Sequence, residues 1–135
     1  MQSFDSDGVR IAYLDEGEDD PVLLIHGFAS NVAAIWVDPR WVRTLSASGR
    51  RVIAIDNRGH GQSEKLYDPE AYGAPQMAED ARRLLDQLGV ERADVLGYSM
   101  GARIAAFLTF AHPERVRSVV FGGLGSHMVR GMVGS

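Results

Sequence analysis

The sequence predicts a doubly wound α/β fold on a mostly parallel sheet, and three observations carry that prediction. Four short apolar runs, 22–25, 52–55, 93–96 and 116–121, show little polar alternation, as suits strands covered on both faces. The stretches between them change to helical spacing. Strand, helix and strand in this order require right-handed crossovers, which lay the helices on the faces of the sheet. Ligands of such sheets sit at the carboxyl ends of the strands.

Taken in order, extended segments at 3–4 and 9–14 flank Asp5-Ser6-Asp7-Gly8, whose turn-forming residues predict a hairpin. An acidic loop over 15–20 leads to the run at 22–25. A helix over 41–47 ends before Ser48-Gly49, and the run at 52–55 follows. Met77, Ala81, Leu84, Leu85 and Leu88 line one helical face, and Gly89 ends that helix. Strand 93–96 then runs directly into Gly97-Tyr98-Ser99-Met100-Gly101. A helix from Met100 to about Ala111 stops at His112-Pro113, because proline disfavours helical geometry in the residue before it. The last strand is the sixth, and no repeat or low-complexity tract interrupts the chain.

Composition narrows the function classes. A length of 135 residues allows one ordinary domain, and 45% hydrophobic with 24% charged residues fits a globular chain rather than a disordered one. Fourteen basic residues against eighteen acidic ones leave a net charge of -4 with the signs interspersed, which excludes a nucleic-acid partner. No apolar run approaches the ~18 residues that span a bilayer. The N-terminus MQSFDSDGVR lacks the basic start and apolar core of a signal peptide, so a cytoplasmic protein with no membrane partner is expected. The absence of cysteine removes disulfides, thiolate nucleophiles and cysteine-based metal sites.

The chemistry concentrates at the strand-to-helix junction. Gly97-Tyr98-Ser99-Met100-Gly101 is G-x-S-x-G in the setting it needs, a turn so tight that side chains two residues either side of the serine would strike neighbouring backbone. Ser99 is thereby held at a helix N-terminus, where unpaired amides and the dipole favour developing negative charge. His26-Gly27-Phe28 directly follows the strand at 22–25, in the place of a loop that supplies a second oxyanion donor. The backbone amides of Phe28 and Met100 are therefore the expected oxyanion donors. Asp56 to Ser63 forms a Gly-rich turn after 52–55 and lacks the G-K-[ST] of a phosphate cradle.

Together LLIHGFAS, VIAIDNRGHGQS, VLGYSMGARIA and AHPERVRSVVFGG resemble the first half of an α/β-hydrolase, of the branch holding esterases, haloperoxidase-like enzymes and carbon–carbon-bond hydrolases. The resemblance covers nearly the whole chain. It implies Ser99 as nucleophile, Phe28 and Met100 as oxyanion donors, and the turn after Asp56 as a structural loop near the pocket. It further implies a small-molecule acyl substrate, an ester, lactone, thioester or activated C–C bond, cleaved through an acyl-enzyme with no metal or organic cofactor. Serine at the elbow departs from the family's haloalkane dehalogenases and epoxide hydrolases, which carry aspartate there. Haloperoxidase-like perhydrolysis would use the same serine. A non-catalytic α/β module that binds a ligand and keeps the elbow as scaffold is the alternative from another class.

The family's acid and histidine follow the serine in the chain. After Ser99 the sole carboxylate is Glu114 and the histidines are His112 and His127, so no complete triad is expected. Glu114 precedes a six-residue strand whose far end carries the chemistry, which puts it roughly 20 Å from Ser99. His127 follows that strand and is expected as a base, as a lining residue of the pocket or at the start of a cap segment, with His26, Gly27 and Tyr98 as further pocket candidates. His26 and His60 are expected to brace their loops, His112 to mark a helix end, and Asp56 to act as a loop-fixing acceptor. Trp36 and Trp41 are expected in the core or pocket wall, and Arg82 and Arg83 on a solvated face. The fold is expected to be truncated after its sixth strand, without a cap and its last two strands. The apolar edge this leaves at 116–121 is expected to recruit a complementing C-terminal polypeptide or a swapped copy.

Overall fold

The computed structural model describes residues 1–123, which form one six-stranded sheet in the order β1-β2-β4-β3-β5-β6. β1 (Gln2–Ser6) and β2 (Val9–Glu16) make an antiparallel hairpin closed by Asp7 and Gly8. Both have positive φ, 49° and 92°, the backbone that a two-residue turn between twisted strands requires. The turn is thus shorter than the expected four residues, because Asp5 and Ser6 pair with Arg10 and Val9. The acidic loop also starts later than expected. Asp15 and Glu16 belong to β2 opposite Ile53 and Val52, and the Asp15 carboxylate is held by Arg51 at 2.9 and 2.8 Å.

β4 (Val52–Ile55) pairs antiparallel with β2 and parallel with β3 (Val22–Ile25). On the other side of β3 lie β5 (Ala93–Tyr98) and then β6 (Val116–Gly122), both parallel to it. Three helices make the crossovers: α1 (Trp41–Ala47), α2 (Ala74–Gln87) and α3 (Met100–Ala111). α2 begins three residues ahead of Met77, with Gly73 extended before it and Pro75 in its first turn, where the missing amide costs nothing. It ends at Gly89, whose φ of 66° suits a residue without Cβ.

Each central strand feeds two cores, which explains the unbroken apolar runs. Leu23, Ile25, Ile53 and Ile55 pack with Met77, Leu84, Leu85, Ile104 and Leu108 of α2 and α3. Val22, Leu24, Val52 and Ala54 pack on the opposite face with Trp36 and with Val42 of α1. The winding therefore reverses between β3 and β5, and in such sheets ligands bind beyond the carboxyl ends of the strands at that point. β6 is the sheet edge among the described residues, with Val120 and Phe121 exposed. No helix among the described residues is long and apolar enough to cross a membrane.

Candidate active site

Ser99 sits where β5 becomes α3, beside the end of β3, at the point where the winding reverses. Its φ of 58° and ψ of -118° are strained for a side-chain-bearing residue, and hydrogen bonds on both flanks hold them. The Ser99 amide donates to the Gly122 carbonyl at the end of β6 (2.8 Å), and the Ser99 carbonyl accepts from Ala102 (2.9 Å). A Cβ on Gly97 would collide with the Gly101 carbonyl, and one on Gly101 with the carbonyls of Ile25 and His26. Both glycines are therefore dictated by backbone against backbone. The half-buried serine heads α3, whose first amides point at its side of the helix.

The loop after β3 presses against this elbow. A Cβ on Gly27 would lie 3.2 Å from Ser99 Cβ and 3.7 Å from Ser99 Oγ, so only glycine leaves that face open. Gly27 starts a tight turn in which its carbonyl accepts from Ser30 at 3.3 Å, with Ala29 at a φ of 60°. Neither the Phe28 amide nor the Met100 amide, the two expected oxyanion donors, has an acceptor among the described residues. Phe28 and Met100 border one cavity of about 380 Å³ with Ala29, Gly59, His60 and Met77. A second cavity, about 400 Å³, opens beside Tyr98 and is walled by Ile35, Trp36, Trp41 and Leu96.

His26 is not a pocket residue, contrary to one of the two expectations for it. It is fully buried as a brace: its Nδ1 lies 2.7 Å from the Gly27 carbonyl, and its Nε2 accepts from the Asn57 amide at 3.0 Å. Burial lowers its proton affinity below the ordinary histidine value, aided by the nearby His60 ring and opposed by the Gly27 carbonyl and Asp56. Asp56 likewise fastens two loops, with Oδ1 accepting from the Val32 amide (2.8 Å) and Oδ2 from Gln62 (2.9 Å). The His60 Nδ1 contacts the Arg58 carbonyl at 2.9 Å. His112 closes α3 and pairs with Glu79 at 2.7 Å. None of the hydrogen bonds of the described histidines goes to Ser99 Oγ. Glu114 enters β6 at the end opposite Gly122, beside His112, and His127 lies outside the described residues.

Trp36 is buried in the core, whereas Trp41 is half exposed and forms pocket wall, its ring edge-on to Trp36 at 6.2 Å. Arg82 bridges Glu79 and Asp86, and Arg83 reaches the Ser6 hydroxyl at 3.3 Å; both side chains stay partly exposed, at 24% and 29%. The sequence reading missed Asn57, Arg58 and Asp80. Asp80 is fully buried beneath the Gly-rich turn, where it accepts from Arg58 at 2.7 and 2.8 Å and from Ser6 at 2.5 Å. Its place between Met77 and Leu84 on the apolar stripe of α2 was the available signal, since a carboxylate on a buried face needs a partner. Among the described residues no group of three or more His, Asp and Glu side chains is arranged to hold a metal ion.

A strand, an elbow serine at a helix N-terminus, and a glycine loop packed against it define a class of α/β enzyme scaffold. The chain belongs to the alpha/beta hydrolase fold family, whose sequence model matches residues 20–129. It is 40% identical over 116 residues to a 2-hydroxymuconate semialdehyde hydrolase of Pseudomonas sp. (strain CF600), covering 86% of this chain and 40% of that protein. It is 37% identical over 118 residues to epoxide hydrolase B of Mycobacterium tuberculosis (strain ATCC 25618 / H37Rv), covering 84% of this chain and 32% of that protein. A solved structure of Est816, described as an N-acyl homoserine lactone degrading enzyme, superposes with a TM-score of 0.79 at 35% identity, over 89% of this chain and 44% of that one. The chain thus spans about a third to two fifths of the two sequence relatives and 44% of the solved structure, and these are named as hydrolases or a lactone-degrading enzyme.

Proposed function

We propose that this chain carries the nucleophile and the oxyanion donors of a serine hydrolase that cleaves an ester, lactone, thioester or activated C–C bond. Ser99 Oγ attacks the carbonyl carbon, and the Phe28 and Met100 amides receive the negative charge that collects on the carbonyl oxygen. Collapse of that intermediate breaks the bond to the leaving group, which takes up the serine proton through a base, and water then releases the acid. The base and its orienting carboxylate come from outside the described residues, from further polypeptide, a complementing chain or a second copy. The observation that carries this reading is the strained Ser99 backbone, because a non-glycine residue at a φ of 58° persists only where the surroundings over-determine it. Serine rather than aspartate at this position favours acyl transfer over the alkyl-enzyme chemistry that an elbow aspartate would give. The mainly apolar walls of the two flanking cavities suit uncharged acyl and leaving groups.

A fluorophosphonate probe tests the reading. It is expected to mark Ser99, with the adduct located by peptide mass, and Ser99→Ala is expected to abolish it. Without a base the labelling is slow, since only oxyanion stabilisation and binding act on the bare hydroxyl. A serine that stays unlabelled even when the remaining part of a relative's domain is supplied would make the chain a binding module.

A further inference from the structure

This inference rests on the reading of Ser99 as a nucleophile served by the Phe28 amide. We propose that His26 is a positioning residue for that amide: its Nδ1–H holds the Gly27 carbonyl and so fixes which way the Gly27–Phe28 peptide faces. In a trans peptide the N–H points opposite to the C=O of the same plane. The His26 ring lies 2.7 Å from the Gly27 oxygen, so the Phe28 N–H is turned away from His26, and no other group among the described residues accepts it. Glycine at position 27 has no Cβ to resist rotation. A flip of this peptide would exchange a donor for a carbonyl oxygen at the face that abuts Ser99, and that oxygen would repel the developing oxyanion. The longer Ser30 bond (3.3 Å) is the one other hydrogen bond to the Gly27 carbonyl among the described residues.

The ring's other nitrogen decides the tautomer. The Asn57 amide can only donate, so Nε2 must be bare, and the Gly27 oxygen can only accept, so the proton must be on Nδ1. Both contacts demand the same neutral form, and the Asn57 side chain closes the clasp by donating to the His26 carbonyl at 3.2 Å. His26 therefore connects the Gly-rich turn to the oxyanion loop through one imidazole. Its low proton affinity keeps it in the form that the clasp needs.

Two substitutions separate the ring's halves. His26→Asn places a side-chain N–H near Nδ1 and keeps a donor for the Gly27 carbonyl, whereas His26→Gln places its amide oxygen near Nε2 and keeps an acceptor for Asn57. In the uniformly 15N-labelled full chain, ring spectra near neutral pH are expected to show the Nδ1–H tautomer of His26. The Phe28 amide resonance is expected to move in His26→Gln and to return towards its original position in His26→Asn. Fluorophosphonate labelling is expected to fall about 10²-fold in His26→Gln, the scale of one lost oxyanion donor, and to recover most of that in His26→Asn. An Nε2–H tautomer, a charged ring, an unmoved Phe28 amide in His26→Gln, or equal loss in both variants would overturn the proposal. The spectra decide it whether or not the wild type is labelled, while absence of labelling in the wild type counts against Ser99 alone.

Discussion

Replacing Asp80 with alanine should destabilise the fold more than any single exposed substitution. The Asp80 side chain is 1% exposed and that of its partner Arg58 is 9% exposed. The carboxylate takes both Arg58 contacts and the Ser6 hydroxyl, and Arg58 also donates to the Ala71 carbonyl at 3.0 Å. Alanine leaves the Arg58 guanidinium in place without its counter-charge, and removing one partner of a buried pair costs about 3–5 kcal/mol. Domains of this size hold ~5–15 kcal/mol in total, so much of the margin would go. With a urea m-value of about 2 kcal/mol/M, a loss of about 4 kcal/mol moves the unfolding midpoint down by about 2 M. Urea titration followed by circular dichroism measures the shift directly. The double variant Arg58→Met with Asp80→Leu should recover much of it, because an apolar pair in the same space carries no desolvation penalty. A midpoint lowered by less than about 0.5 M in Asp80→Ala would refute the reasoning, since water would then be reaching the guanidinium.

Two further outcomes follow from the site. Ser99→Gly should be more stable than Ser99→Ala by about 1 kcal/mol, because glycine adopts the φ of 58° without the strain that any Cβ brings, and thermal melts of the two variants side by side read the difference. Equal melting temperatures would mean that the elbow stores no strain. His26 should contribute to acid sensitivity: its folded proton affinity lies below the unfolded value near 6.5, so its stabilisation is complete above that pH. As pH falls below 6.5 the unfolded chain takes up the proton first, and the stabilisation is lost progressively through the lower folded value. The facing charged or titratable groups are His60 and Asp56. Urea midpoints at about pH 7.5 and about pH 5.5 should therefore differ more in the wild type than in His26→Asn. The reverse ordering would sink the assignment.

Most of the architecture was legible because the physics that fixes it is local. The runs at 22–25 and 52–55 coincide with β3 and β4, and the breaks at Gly89 and His112-Pro113 end α2 and α3 as their backbone chemistry demands. The hairpin turn and the start of the acidic loop were misjudged for one reason. Asp5, Ser6 and Asp15 favour turns in isolation and Glu16 is depleted in strands, but cross-strand pairing, to Arg10 and Val9 within the hairpin and to Ile53 and Val52 of β4, overrode that preference. At the site, the spacing of Gly97, Ser99 and Gly101 carried steric information that survives in one dimension. The supports beneath it did not. Asp80 and Arg58 are 22 residues apart, His26 and Asn57 are 31 apart, and nothing in their local patterns marks them as partners.

These supports share a geometry that bears on how the site holds its shape. Buried polar groups beneath the site join separate segments: His26 to Asn57, Asp56 to Val32 and Gln62, and Ser63 to Ala12 of β2. A loop end braced only within itself could slide as a unit, and an error of about 1 Å in a donor's position is costly to catalysis. Cross-bracing ties the ends of β3 and β4 together and holds Gly27 where a Cβ would crowd Ser99 at 3.2 Å. The elbow itself is fastened on its other flank to the exposed edge strand, through the Ser99 amide and Gly122. One side of Ser99 is thus set by buried polar groups that bridge chain segments, and the other by a strand that, among the described residues, has a neighbour on one side only. A strand paired to the open side of β6 would therefore also steady the backbone that presents the serine.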